Sequence, residues 1–340
     1  MSDPHVRFHE RWLGMVQPSE GLVFSVPVLA EAQVMERQPV ATRHALAALA
    51  PVDPTTKQPQ IHDLAEFFHQ LLNLAPEEFD HGQAVPADLS LHVAEGHQTL
   101  RPTLALRGND PRPVPADAPP AVRAGAPYAA LVWDLPAGLP LDKPEDTTGP
   151  WRYPPGAKFD RLLRACRVPI GLLTNRQVIR LVYAPHGQST GWIDFRLPDL
   201  LDPAGAPILD AFVVLLRAER WFAVADEVSL PGLLAASRTR QANVTNDLAD
   251  QVFAALNALL VGFDRADERD PAHPLRAALA ADPQGHAVYG GLLAVLLRLV
   301  FLLYAEEHGL LPVEHPLYAR HLSVLALYDQ LVDDAGAHPD

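Results

Sequence analysis

An α+β chain is predicted, with an α/β domain over residues 1–235 followed by an all-helical region over 236–340. Three observations carry this expectation. Short β-branched and apolar runs alternate with amphipathic helical stretches as far as Leu234. From Ser237 onward the hydrophobic spacing is helical throughout. A break with six prolines, residues 110–127, interrupts the first region without ending it, because strand-like sequence resumes directly afterwards.

Taken in order, residues 21–29 (Gly-Leu-Val-Phe-Ser-Val-Pro-Val-Leu) read as a strand or extended segment, and 50–60, with Pro51, Pro54 and Pro59, as a loop. Leu64, Phe67, Phe68, Leu71 and Leu72 recur at helical spacing and predict an amphipathic helix over 63–74. Strands are expected at 100–106 and 128–135, and the 110–127 break between them is expected to be an irregular loop. Phe159, Leu162, Leu163 and Cys166, at i, i+3, i+4 and i+7, predict a second helix. Ile170-Gly-Leu-Leu-Thr-Asn then turns at Asn175 into Gln177-Val-Ile-Arg-Leu-Val-Tyr-Ala, a hairpin. In the helical region Leu248, Val252, Ala255, Leu256, Leu259 and Leu260 form one face. Residues 288–305 predict a mostly buried helix that stops at Gly309 and Pro312.

The 340 residues are 48% hydrophobic, enough to fill real cores, which excludes disorder as the description of the whole chain. A net charge of −14 excludes a protein that coats nucleic acid or anionic membrane over its entire surface. The single cysteine, Cys166, can make neither an internal disulfide nor a thiolate metal site and fits a reducing cytoplasm. The charged start lacks the apolar core of a signal peptide. In the most apolar run, 291–305, Arg298 interrupts a stretch shorter than the roughly 20 residues a membrane span needs. A cytoplasmic protein with no membrane partner is expected.

Several phrases carry a resemblance. Ser237-Arg238-Thr239-Arg240-Gln241, Gln251-Val-Phe-Ala-Ala-Leu, Leu260-Val-Gly-Phe263, Phe301-Leu-Leu-Tyr-Ala-Glu-Glu-His-Gly309, Pro316-Leu-Tyr318 and Ser323 follow one another through the helical region. They resemble the connector that leads into the adenine methyltransferase domain of type IIG/IIS restriction–modification enzymes. The large methylases of phage-defence systems such as DISARM and BREX carry a similar connector. The resemblance implies that residues 1–235 are a nuclease-like domain of the PD-(D/E)xK type. In that family an Asp after Leu-Arg-Pro and a later Glu-x-Lys hold Mg²⁺ and activate water.

The expected chemistry is missing at the matching positions. Leu100-Arg-Pro102 is followed by Thr103, and in Val132-Trp133-Asp134-Leu135 the Glu and Lys positions hold Trp133 and Leu135. The only lysines are Lys57, Lys143 and Lys158; two residues before them lie Thr55, Leu141 and Gly156, so the chain contains no Asp-x-Lys or Glu-x-Lys. Arg176 also replaces the glycine of the family's Thr-Asn-Gly turn. A degenerate nuclease core is therefore expected, with no catalytic residue, no cofactor and no metal in this chain. The alternative is an Mg²⁺-dependent endonuclease with a variant site, for which Glu31-x-Gln33 or Glu36-x-Gln38 are the available pairs. A third reading is a stand-alone protein-interaction module.

Methyltransferase signatures are absent too. The double prolines, Ala118-Pro119-Pro120 and Tyr153-Pro154-Pro155-Gly156, lack the Asn/Asp-Pro-Pro-Tyr/Phe residues that hydrogen-bond a flipped adenine, and no glycine-rich strand-to-helix turn offers a place for S-adenosylmethionine. The resemblance thus implies the front half of a modification protein, with DNA and a separately encoded methyltransferase domain or subunit as partners. S-adenosylmethionine is expected only on that missing domain.

Between residues 151 and 180 lie Arg152, Lys158, Arg161, Arg164, Arg167, Arg176 and Arg180, with Asp160 the only acid. Helical spacing puts Lys158, Arg161, Arg164 and Arg167 opposite the apolar stripe, which suggests a phosphate-contacting patch, against the alternative of a solvated helix face. His62, Glu66 and His69 share a helix side but read as a polar face rather than a metal site. Glu306, Glu307 and His308 read as a helix end or a contact with the missing domain, and Trp133, Trp192 and Cys166 as packing residues.

Overall fold

The computed structural model describes residues 3–16, 19–21, 23–145, 152–282 and 284–334. The chain divides into two compact units, Met1–Ala242 and Asn243–Asp340. The first unit is mixed α and β and the second is helical, so the fold class is α+β followed by a helical region.

Unit 1 opens with α1 (Pro4–Met15), β1 (Ser19–Glu20), α2 (Val26–Glu31), α3 (Val40–Leu49) and α4 (Leu64–Leu72). Next come β2 (Phe79–His81), β3 (Leu91–Val93), β4 (Gln98–Leu100), β5 (Leu104–Arg107), α5 (Pro120–Gly125) and β6 (Tyr128–Asp134). Helix α6 (Pro155–Cys166) leads to β7 (Ile170–Thr174), β8 (Val178–Tyr183), β9 (Gly191–Arg196), α7 (Leu197–Leu201), α8 (Ala206–Leu216) and α9 (Glu219–Phe222). Helix α10 (Leu230–Arg269) starts in this unit.

Among the described residues seven strands form one sheet in the order β1-β9-β8-β7-β6-β5-β2, with β3 and β4 as a separate hairpin. All pairings in that sheet are antiparallel except β6 with β7, which α6 connects in parallel. A parallel neighbour needs a crossover, and α6 supplies it. Alternate residues of the central strands then serve two different cores. Ala130, Val132, Ile170, Leu172, Ile179, Leu181, Ile193 and Phe195 pack with Trp12, Phe67 and Phe212 of α1, α4 and α8. Leu131, Leu173 and Val182 pack with Phe159, Leu162, Leu163 and Cys166 of α6. Burial on both faces explains why 170–174 read as a continuous apolar run rather than an alternating one.

Local chemistry sets the element ends. Asp63 caps α4 by accepting the Ala65 and Glu66 N–H groups, and Asn73, in the left-handed region, closes it. Gly171 lets β7 and α6 touch: a Cβ there would sit 2.4 Å from Phe159 Cε1. Asn175 shapes the β7–β8 turn by accepting the Gln177 and Val178 N–H groups (3.1 and 2.9 Å). Arg176 follows with φ +64°, the backbone conformation that glycine adopts most readily.

Three expectations need correction. Only β1, of two residues, forms near 21–29; Leu22 lies outside the described residues, and the rest leads into α2, because Pro27 sits in a helical first turn that its ring suits. The proline-rich break holds a regular element, α5, for the same reason: Pro120 begins it. The helix expected to be buried at 288–305 is mostly exposed.

That helix is α12 (His286–Glu307), which unit 2 places after the end of α10 and α11 (Pro274–Ala281) and before α13 (Pro316–His321) and α14 (Val324–Asp334). Only Leu292, Ala305 and Glu306 of α12 are buried. It is long and apolar enough to cross a membrane, and it is the only described helix that is. Leu297, Val300, Phe301 and Tyr304, at i, i+3, i+4 and i+7, form an exposed stripe along it. The spacing of apolar residues says that a helix has a face to cover, not what covers it. Glu306 lies in the last turn of α12, at the helix end expected of it, and also has a role inside the unit. It accepts hydrogen bonds from Tyr318 Oη (2.9 Å), Ser323 Oγ (3.1 Å) and the Val324 N–H (2.8 Å), and so caps α14 and ties it to α12.

Candidate functional site

Thr103, just before β5, Trp133, on β6, and Leu135, just after it, are the positions at which the resemblance implies nuclease chemistry. Thr103 directly precedes β5; its N–H donates to Val132 O (2.8 Å) and its Oγ1 accepts the Asp134 N–H (3.0 Å). Trp133 and Leu135 point to the α6 side, as strand alternation requires. Trp133 packs on Phe159 with ring centroids 6.0 Å apart, and Leu135 is buried in the same core. Neither offers an oxygen ligand, so the residues present do not fit Mg²⁺.

Asp134, on the opposite face, is committed elsewhere. Its carboxylate takes two hydrogen bonds from Arg176, at 2.7 and 3.1 Å, in a fork that fixes both side chains. With His62, Asp63, Thr103 and Arg176 it lines a cavity of about 320 Å³. Asp63 is already bound up in capping α4. Among the described residues no group of three His, Cys, Asp or Glu side chains could hold a metal ion.

The strip continues across the sheet on the α6 side. Trp133, Leu173, Arg180 and Asp194 are successive cross-strand partners. Arg180 is only 2% exposed. It donates to Asp194 (2.6 and 2.8 Å) and to Asp142 (2.6 and 2.8 Å), and its guanidinium carbon lies 3.6 Å from the centroid of the Trp192 ring. Burial works against its charge, but the bonds to Asp194 and Asp142 outweigh burial and hold the guanidinium protonated. Burial pushes the Asp194 carboxyl up in spite of Arg180.

The seven cations of 152–180 do not share one solvated face. Lys158, placed by helical spacing on the polar side of α6, is buried and ion-paired to Glu145 at 2.6 Å, with Gln98 Oε1 at 3.4 Å. Arg164 pairs with Asp160 (2.9 Å) and donates to Thr190 Oγ1 (2.6 Å) and Gln188 O (2.9 Å), tying α6 to the β8–β9 loop. With Arg176 and Arg180, four of the seven brace the fold. The helical wheel missed this because the acids, Glu145, Asp134, Asp142 and Asp194, arrive from other elements. Arg152, Arg161 and Arg167 are exposed. Arg167 closes α6 at φ +51° and, with Arg112, Arg164 and His186, lines a second cavity of about 360 Å³.

The remaining candidates lie apart from this strip. Glu31 pairs with Arg240 (2.8 Å) and Glu36 with Arg217 (2.5 Å), so both proposed variant carboxylates serve ion pairs away from β5 and β6. Gln33 has a left-handed backbone, and the Gln38 N–H donates to Asp210 (2.8 Å). His62, Glu66 and His69 are exposed. Cys166 is fully buried, and burial pushes its thiol up to about 12, so it stays protonated and unreactive. No protein-family model, curated protein or solved structure matches the chain.

Proposed function

We propose that this chain is a non-catalytic, nuclease-like scaffold that positions DNA for an adenine-specific methyltransferase carried on another segment or subunit in the cytoplasm. The observation that supports it best is the rim of β5 and β6. There Thr103 hydrogen-bonds to the strand that carries Trp133 and leads to Leu135, which agrees with the resemblance, yet two of the three are apolar packing residues. The succession of antiparallel β2, β5 and β6 with a parallel crossover through α6 to β7 agrees with that reading. S-adenosylmethionine belongs to the methyltransferase and not to these residues.

The exposed stripe on α12 supports a docking role for unit 2, since contiguous exposed apolar surface marks an interaction site. A membrane is the weaker occupant. Arg298 falls well inside the helix, and a charge at the centre of a span costs roughly 2.5–3.5 kcal/mol.

DNA contact would fall to Arg161 and Arg167, the exposed cations of α6 and its end. The test is duplex binding by the whole chain across a salt series, with and without Mg²⁺. Salt-sensitive binding without cleavage is expected, and reversing both charges (R161E/R167E) lowers the salt slope by about one per lost phosphate contact. The second reading, an endonuclease, draws on Asp134 beside Thr103. Mg²⁺-dependent cleavage abolished by D134N would establish it and overturn the first.

A further inference from the structure

A cleft in unit 1, sharing no lining residue with the cavity beside Asp134, has the chemistry of an anion site. It is formed by α1, the 35–40 segment, α3 and the start of α8, and encloses about 950 Å³. Four arginines line it: Arg7 and Arg11, one turn apart on α1, Arg37, and Arg43 on α3. Asp210 is the only acid among its lining residues, and its carboxylate already accepts the Gln38 N–H. A chain of −14 thus concentrates three net positive charges in one concavity.

The four guanidinium groups make no hydrogen bond or ion pair with a described residue, in contrast to the paired arginines of the sheet. Two donors, Arg43 Nε and Gln38 Nε2, are buried with no partner. The guanidinium groups that line the cleft are thus left to water or to an entering ligand, and an anion would satisfy several of them at once. Phosphate oxygens suit planar guanidinium forks better than any neutral acceptor. Phe8, Met35 and Val40 add apolar wall, Met35 and Val40 being exposed, which fits a ligand with a flat apolar portion beside its charge.

We propose that this cleft binds the phosphate groups of a nucleotide, either free or within a single nucleic-acid strand. The inference is independent of the DNA-positioning reading, whose residues Arg161 and Arg167 lie outside the cleft. The experiment is calorimetric titration of the whole chain with ATP and with a short single-stranded oligonucleotide at low salt. The wild type is compared with R11E, R43Q and R161E/R167E, each checked for an unchanged circular dichroism spectrum. R11E keeps the test valid should R43Q fold poorly, because Arg11 is exposed on its helix.

Binding weakened about tenfold or more by R11E is expected, the loss of one charge-assisted contact and its reversal. ATP binding with that sensitivity assigns a free nucleotide; binding of the oligonucleotide alone with that sensitivity assigns a strand. Absence of binding by both probes overturns the proposal, as does binding that R11E leaves unchanged. Oligonucleotide binding lost in R161E/R167E and kept in R11E overturns it while leaving the DNA-positioning reading in place.

Discussion

His9 is fully buried, accepts the Trp12 Nε1–H at Nδ1 (2.9 Å), and is held down to about 4 from its ordinary value of 6.5, chiefly by burial. The unfolded chain therefore takes up a proton as pH falls from about 6.5 to 4 while the native state does not, so stability drops across that window. The loss is about 3 kcal/mol in full. Denaturant midpoints measured between pH 7 and 4 should fall steeply in the wild type and flatten in H9Q, which keeps an acceptor but cannot titrate. Arg180 sets a second expectation. R180M leaves Asp194 buried beside apolar neighbours and should cost about 3–5 kcal/mol, whereas R180M/D194L, which leaves only the solvent-exposed Asp142 without its partner, recovers most of it. Equal losses in the single and double variants would show that the pair is not what matters. Neither partnership of Arg180 could be read locally: Asp194 is 14 residues away and Asp142 is 38 away.

Elements whose apolar residues recur at a clean period were legible. Leu64 to Leu72, Phe159 to Cys166, the strand from Tyr128 and the hairpin at Asn175 all formed, because period and caps agree with the packing they meet. Helix α2 was not legible, since Val26, Val28 and Pro27 suggest extended chain while a helix buries Leu29 and Ala30. Helix α14 depends on one carboxylate. Burial raises Glu306, but hydrogen bonds from Val324, Tyr318, Leu325 and Ser323 outweigh it and keep the group ionised. E306A should remove amide-exchange protection over residues 316–334 and leave the unit 1 sheet unchanged; retained protection there would mean that apolar packing holds α14.

At the scale of the molecule, a net charge of −14 accompanies an exposed apolar stripe on α12. Like charge opposes association, while the α12 stripe leaves large apolar side chains exposed. Concentration-dependent self-association is expected in sedimentation, and L297Q/F301Q should abolish it. A monomer at every concentration would exclude a second copy of the chain as the occupant of the stripe. The sequence by itself determined the fold class, the helical character of the residues after Ser237, and the absence of an Asp-x-Lys or Glu-x-Lys pair, because residue type and period are local properties. Only the tertiary structure decided that Lys158, Arg164, Arg176 and Arg180 are braces, that α12 is exposed, and that Arg7, Arg11, Arg37 and Arg43 converge. Those outcomes depend on which distant carboxylate or apolar face arrives beside a residue, and neither spacing nor composition encodes that meeting.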